Sequence, residues 1–352
     1  MPDSDNTREP KRFNARRAIA IVLGLGVSAT FLVLLLRRVD LAQVWRELSR
    51  VHVGRLLLSI SSMTFGFCAQ WLRSRALFAP ISDLRSFRLL KSVMLGFSGN
   101  NVLPLRAGEL LRIHYLAHHG KLPHSSCFAL VAVERLMDLL LLVALFLSLL
   151  PLVAVDLPPT GAIIGIASVV ALGLLTIIGI ARWPSGFVRL VARITGWLGE
   201  RISSFARRKA ELFVSGTSSL RSLRALLAAF VATLGYWVMT IVTVRITLWA
   251  FGLELPWTAP MVVLVFSGFA VTLPSSPGYV GTYHYFVALA LRLMGVPAAR
   301  ATSFAFVLHA AGIVPFTLLG VALLAPDALR GDLVPADKAA PAPTPVEERD
   351  AP

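Results

Sequence analysis

This chain of 352 residues has only two cysteines, Cys68 and Cys127, and only 15% of its residues are charged. Two cysteines in separate apolar stretches exclude a disulfide framework and a zinc site of the paired-cysteine kind. So low a charge content, with 56% hydrophobic residues and a mean hydropathy of +0.73, excludes an ordinary soluble domain. Acidic residues are scarcer than basic ones, 19 against 34, for a net charge of +15. The basic residues sit in short connections between apolar runs. That is a positive-inside pattern with anionic-lipid contact, not a nucleic-acid surface. Nucleotide-phosphate motifs are missing, and Ser275-Ser276 has no His/Asp partner pattern, which removes nucleophilic hydrolysis. His114 and His118 share a helix face, but no third ligand follows at metal spacing. Neither metal nor cofactor is expected.

What is present is apolar chain long enough to cross a bilayer several times. After a polar, basic N-terminus (1–17), expected on the cytoplasmic side, Ala18–Leu36 offers 19 residues without charge. Arg37-Arg38 follows instead of a small-residue cleavage site, so this is a retained helix, not a signal peptide. An amphipathic connector (39–53) leads to a second span, Val53–Leu72, ending in a basic loop with Arg73, Arg75, Arg85, Arg88 and Lys91. Further spans are expected at Cys127–Leu150, Gly161–Ala181, Ala225–Phe251 and Thr302–Ala325. The basic stretch 182–224 repeats apolar residues at helical spacing and reads as a helix on the membrane surface. The tail (326–352), rich in Pro, Ala and charge, is expected to be disordered.

Two apolar pieces are too short to cross and run into helix breakers: Leu89–Leu103 into Pro104, and Met261–Leu273 into PSSPGYVG. Each is followed by a returning segment, so each reads as a re-entrant hairpin. The first lies in the most polar stretch of the membrane part, with Asn100, Asn101, Arg106, Glu109 and Arg112 near its break, and Glu134, Arg135 and Asp138 on the next span. Ionisable groups at membrane depth cost about 2.5–3.5 kcal/mol each on insertion scales, and so mark function by default.

The two hairpins are related. At an offset of 170, Leu103/Leu273, Pro104/Pro274, Gly108/Gly278, His114/His284 and Tyr115/Tyr285 are identical. At 169, so are Val93/Val262, Leu95/Leu264, Phe97/Phe266, Ser98/Ser267 and Gly99/Gly268, and further upstream Arg55/Arg224 and Gly66/Gly235. The chain therefore divides into two units, about 55–150 and 224–325. Three expected crossings separate their starts, and an odd number inverts one unit relative to the other. The basic loops 73–91 and 182–224 and the Lys- and Arg-free loops 151–159 and 252–258 agree with this; only the first connector, with Arg37, Arg38, Arg46, Arg50 and Arg55, runs against it. Inverted repeats with paired broken helices belong to alternating-access transporters, whose site lies where the breaks meet. The expected fold class is thus all-α and polytopic, with six spans and two re-entrant hairpins as an inverted repeat.

The run Asn101-x-Leu103-Pro104-x-Arg106-x-Gly108-Glu109 with Arg112, the Glu134-Arg135-x-x-Asp138 run, and Pro274-x-x-Pro277-Gly278-x-x-Gly281 resemble the flippase-like membrane domain of the lysylphosphatidylglycerol synthase family. The resemblance covers about 18–325 and implies transfer of lipids between leaflets: aminoacyl-phosphatidylglycerol in the fused proteins, other lipids or polyprenyl-linked saccharides in stand-alone members. Many relatives carry a Glu where this chain has His284, and often an Arg near His309. On this reading Asn100, Asn101, Arg106, Glu109, Arg112, Glu134, Arg135 and Asp138 form one half of a substrate site, and Ser275, Ser276, Tyr279, His284 and His309 the other. Arg106 and Arg112 flank a helix start suited to phosphate; the competing reading has them snorkel or pair with Glu109. Glu134, Arg135 and Asp138 are either a relay or a structural ion pair. The protein is expected to be a non-enzymatic translocase of the cell (plasma or inner) membrane. Its expected partners are anionic or polyprenyl-phosphate-linked lipids and envelope-biosynthesis enzymes, with no nucleic acid. The alternatives are an integral membrane transferase with Glu134 or Asp138 as base, or an accessory subunit of an envelope-synthesis complex.

Overall fold

A computed structural model describes residues 15–37, 39–149, 182–216, 222–273 and 275–333, with a few positions between 165 and 179. Among the described residues every regular element is helical. In chain order they are α1 (Ala15–Leu36), α2 (Leu41–Ser49), α3 (Val53–Phe78), α4 (Ser86–Val102), α5 (Ala107–Gly120), α6 (His124–Leu149), α7 (Pro184–Thr195), α8 (Glu200–Gly216), α9 (Leu223–Ala250), α10 (Ala259–Thr272), α11 (Thr282–Leu293) and α12 (Ala298–Leu329). Short 3₁₀ turns fill the breaks at Pro104–Arg106 and Pro277–Tyr279. By length and composition α9 and α12 can each cross a membrane, and α2 and α3, bent by 85°, form a third, broken candidate. The expected span Gly161–Ala181 falls largely outside the described residues, as do the N-terminal 14 residues and the tail from 334 onward.

Local chemistry sets the ends of these helices. Asp40 caps α2 by accepting from the Ala42 N–H, His52 Nδ1 caps α3, and Ser222 caps α9. Leu103 ends α4 with φ −94°, ψ 145°, and Leu273 ends α10 with φ −76°, ψ 140°. Both precede proline, whose ring denies its neighbour the helical region. The matched sequence positions thus break their helices the same way.

Several helices extend beyond the sequence reading, two of them with consequences for the site. The second span does not stop at Leu72: α3 continues to Phe78, because Trp71, Ala76, Leu77 and Phe78 keep the helix apolar and pack into a core with α4, α5 and α6. Arg73 is thereby carried inside and is 1% exposed. Likewise α12 runs to Leu329 through Pro326, because Asp327 is anchored by Lys91 and Tyr115. The stretch 182–224 is not one helix. Gly199, at φ 97°, turns it between α7 and α8, which fold back on each other through Phe187–Phe213 and Ser203 Oγ to the Ala192 carbonyl.

The centre is an antiparallel pair, α3 against α9. Arg55 meets Trp249, Ser59 meets Thr243 and Thr247, Gly66 meets Tyr236 and Met239, and Gly235 meets Ala69. In lipid, packing and interhelical hydrogen bonds replace the hydrophobic drive. Small residues at 66, 69 and 235 permit the approach, and Ser59–Thr247 (2.7 Å) and Ser62–Thr243 (2.8 Å) tie the helices together.

Around this pair lie two helical hairpins, α4–α5 and α10–α11. In the first, a methyl on Gly99 would sit 2.6 Å from Gly108 Cα, and one on Gly108 would collide with the backbone of Gly96 and Asn100. Only glycine fits at either position. Each hairpin then packs on the last long helix of the other unit. Helix α4 lies along α12, with Phe67–Phe316 rings 4.5 Å apart beside it and Ser98 against Gly320. Helix α10 lies along α6, with Gly268 against Leu142. This exchange brings the two breaks together: a methyl on Gly278 would lie 3.4 Å from the Asn101 carbonyl.

Candidate functional site

One charge cluster occupies the junction of α3, α5 and α6. Glu134, fully buried, is its hub. Arg112 grips it as a fork, Nη1 2.7 Å from Oε2 and Nη2 3.0 Å from Oε1. Ser74 donates to Oε1 at 2.7 Å and accepts from Arg112 Nη2 at 2.8 Å. Arg73 lies 3.7 Å from Glu134 and 2.6 Å from Asp138. Arg135 completes the ring, 3.4 Å from Asp138 and 3.7 Å from Glu109. Three guanidinium groups (Arg73, Arg112, Arg135) therefore face three carboxylates (Glu109, Glu134, Asp138). The cluster is neutral as a whole, which is what allows it to stay buried.

The cluster opens along one edge. The Arg135 side chain is 40% exposed and Glu109 21%, whereas Arg73 and Arg112 are closed off. Beyond that edge stands Arg106, exposed and outside every ion pair among the described residues. It takes a left-handed backbone (φ 55°) at the start of α5, and its guanidinium lies 5.9 Å from the Tyr279 ring of the other hairpin. Tyr279, also at positive φ (57°), is within electrostatic reach of Arg106, Glu109 and Arg135. Non-glycine residues pay for such conformations only where the surroundings impose them. The two tips thus meet over the open edge of the cluster.

Other expected residues divide between the tips and a separate pair. Asn101 donates to Thr317 Oγ1 on α12 at 3.0 Å. The Asn100 Oδ1 and Ser275 Oγ atoms are buried without a hydrogen-bond partner among the described residues. Ser276 is bound to α1: its N–H donates to Ser28 Oγ at 2.7 Å. His284 and His309 lie apart from the ion cluster. The Gly281 N–H donates to His284 Nδ1 (3.2 Å), so the neutral ring carries its proton on Nε2 and donates it to His309 Nδ1 (3.0 Å). Tyr283 stacks on His309, and Phe306 on His284. This chain of bonds holds the second break to α12.

Arg112 is therefore an internal counter-ion and not a free anion ligand, while Arg106 is available. Sequence reasoning missed Arg73 and Ser74, which it assigned to a loop. The signal was there: the apolar residues on both sides of Arg73, and three carboxylates against only two arginines once Arg106 is set aside. A second buried network was missed as well. Lys91 Nζ lies 2.8 and 2.9 Å from the two Asp327 oxygens, and the Tyr115 hydroxyl donates to Asp327 at 3.0 Å. It bolts α4 and α5 to the end of α12. Among the described residues no three His, Cys, Asp or Glu side chains are grouped to hold a metal.

A family model for the lysylphosphatidylglycerol synthase transmembrane region matches residues 21–320. A curated relative, Glycosyltransferase AglD of Haloferax volcanii, is 27% identical over 84% of this chain and 52% of its own length. The chain spans about half the length of that relative. No solved structure matches.

Proposed function

Because the chain belongs to the family of lysylphosphatidylglycerol synthase transmembrane regions, we propose that it is a non-enzymatic translocase moving a phosphate-bearing lipid between leaflets. The observation that carries this reading is the meeting of two helical hairpins over the open edge of a neutral ion cluster, with Arg106 left free beside Tyr279. Arg106 receives the lipid phosphate, a role suited to a planar fork of donors. The closed part of the cluster keeps α3, α5 and α6 in register while the tips part. In this reading the membrane is the plasma or inner membrane, the N-terminus is cytoplasmic, and the chain makes six spans with two re-entrant hairpins.

The inverted repeat belongs to the same proposal. Matched elements follow in the same order in both units: α3, α4, break, α5, α6, and α9, α10, break, α11, α12. Helices α3 and α9 run antiparallel, and the residues that meet at their middle, near Gly66 and Gly235, are also matched in sequence. A two-fold axis in the membrane plane produces that arrangement; one along the membrane normal would leave them parallel. The relative named as a glycosyltransferase favours a phosphate-linked saccharide among the candidate cargoes. It also supports the second reading, a membrane component of a glycan-synthesis reaction.

Native mass spectrometry of the purified protein tests the site. A phosphate-bearing lipid should co-purify, and Arg106→Ala should shed it while the protein remains folded. A retained lipid without phosphate, or equal retention by the variant, returns Arg106 to a merely interfacial arginine.

A further inference from the structure

The first connector carries the arginines that break the positive-inside pattern, and the structure gathers two of them into a pocket. At the N-terminal end of α3, Arg50 and Arg55 join Arg300 of α12, Glu47 and His52 around a cavity of about 300 Å³ floored by the last turn of α9. This lies at the opposite end of the α3–α9 pair from the basic residues 85–91 and from the helix start to which α8 leads. Arginines on the translocated face work against the orientation signal, so their retention there calls for a use.

Part of that use is structural. Arg55 Nη1 donates to the Trp249 carbonyl at 2.9 Å, and Arg300 Nη2 donates to the Phe251 carbonyl. The Ala250 carbonyl is taken by the His52 N–H at 3.0 Å. These contacts satisfy the Ala250 and Phe251 carbonyls, add to the Gly252 N–H already on the Trp249 carbonyl, and meet the negative dipole end of α9. They also consume the acceptors of the pocket while leaving donors over, since each guanidinium has five N–H groups. Arg50 has no such task. Its side chain is 76% exposed and, among the described residues, forms an ion pair with Glu47 alone, at 3.8 Å. Glu47 also pairs with Arg300, whose Nε lies 3.5 Å from Oε2. Three guanidinium groups sharing one carboxylate leave an excess of two positive charges, which favours an anion. Its depth identifies which: exposed Trp45, Trp249 and Trp257 stand on α2, at the end of α9 and just beyond it, the position of an interfacial aromatic belt.

We propose that this pocket is a second binding site, for the phosphate of a lipid headgroup, on the face opposite the basic helices. Its role as a docking station for cargo entering or leaving the hairpin site rests on the translocation reading above; binding there does not.

The test is phosphatidylglycerol retention by the full chain in Arg106→Ala, which silences the tip site, in nanodiscs of phosphatidylcholine with graded phosphatidylglycerol. Adding Arg50→Gln should weaken retention about threefold to tenfold, the loss of one charge-assisted contact at a partly exposed site. Adding Glu47→Gln should strengthen it by a similar factor, a gain that a misfolded variant cannot mimic. Displacement by millimolar inorganic phosphate would mean that the site reads the phosphate alone, and resistance that it requires the lipid; either supports an anion site. Unchanged retention in both Arg50→Gln and Glu47→Gln overturns the proposal. Labelling of Arg50→Cys, with Cys68 and Cys127 replaced by Ser, by an impermeant maleimide from outside intact cells tests the face separately. Binding without outside labelling refutes the topology and spares the pocket.

Discussion

Glu134→Gln is the most demanding perturbation of the ion cluster, because it changes charge with almost no change in shape. The carboxylate is fully buried and contacts Arg112, Arg73, Ser74 and, at 3.9 Å, Arg135. Replacing it leaves three guanidinium groups facing two carboxylates in a closed site. Stranding one buried charge in this way costs about 3–5 kcal/mol. Arg135→Gln removes a charge from the same cluster, but the side chain is 40% exposed. Solvent screening there limits the loss to about 1 kcal/mol or less. The double variant Arg112→Gln, Glu134→Gln restores the balance at two against two and should recover much of the loss, since contacting residues couple strongly. Thermal unfolding in detergent, followed by a fluorescent thiol probe on buried Cys127 with exposed Cys68 replaced by Ser in every variant, ranks the four proteins. A Glu134→Gln variant as stable as Arg135→Gln, or a double variant no better than the single, would refute the idea that charge balance holds this cluster at depth.

Gly108→Ala should disrupt the first hairpin, because the added methyl meets the backbone of Gly96 and Asn100, which cannot move aside. A loss of about 1–3 kcal/mol or more is expected, and Gly26→Ala, with nothing within 4 Å, is the matched control in the same unfolding assay. Asp327→Asn leaves Lys91, with only 12% of its side chain exposed, without an ion-pair partner among the described residues. Faster amide hydrogen exchange over the last two turns of α12 checks it. Asp138→Asn separates scaffold from relay: parallel loss of stability and transport makes Asp138 structural, whereas retained stability with altered transport gives it a part in the cargo site.

Much of this molecule could be read from its sequence where local chemistry decides. The hairpin breaks were legible because Pro104 and Pro274 follow apolar runs too short to cross. The grouping of Glu109, Arg112, Glu134 and Asp138 was expected because no lipid-facing position tolerates them. Arg73 was not, because an arginine after a long apolar run looks the same whether the helix ends or continues, and only the packing of Leu77 and Phe78 decides. The roles of Arg106 and Arg112 were likewise inseparable in sequence. Six residues apart, they differ because Arg112 faces Glu134 across the helix junction and Arg106 precedes α5 in a left-handed turn at the tip. The Lys91–Asp327 tie spans 236 residues, a separation over which composition carries no pairing information.

The central claim is that phosphate-bearing lipid passes through the meeting point of the two hairpin tips. The most direct measurement is leaflet exchange of a fluorescent phosphatidylglycerol in vesicles reconstituted with the full chain, read as the fraction protected from an impermeant quencher over time. The wild-type protein should raise the exchange rate above that of empty vesicles, and Arg106→Ala, equally folded and inserted, should return it to that baseline. Wild-type exchange no faster than that of empty vesicles, or exchange undiminished in Arg106→Ala, would contradict it.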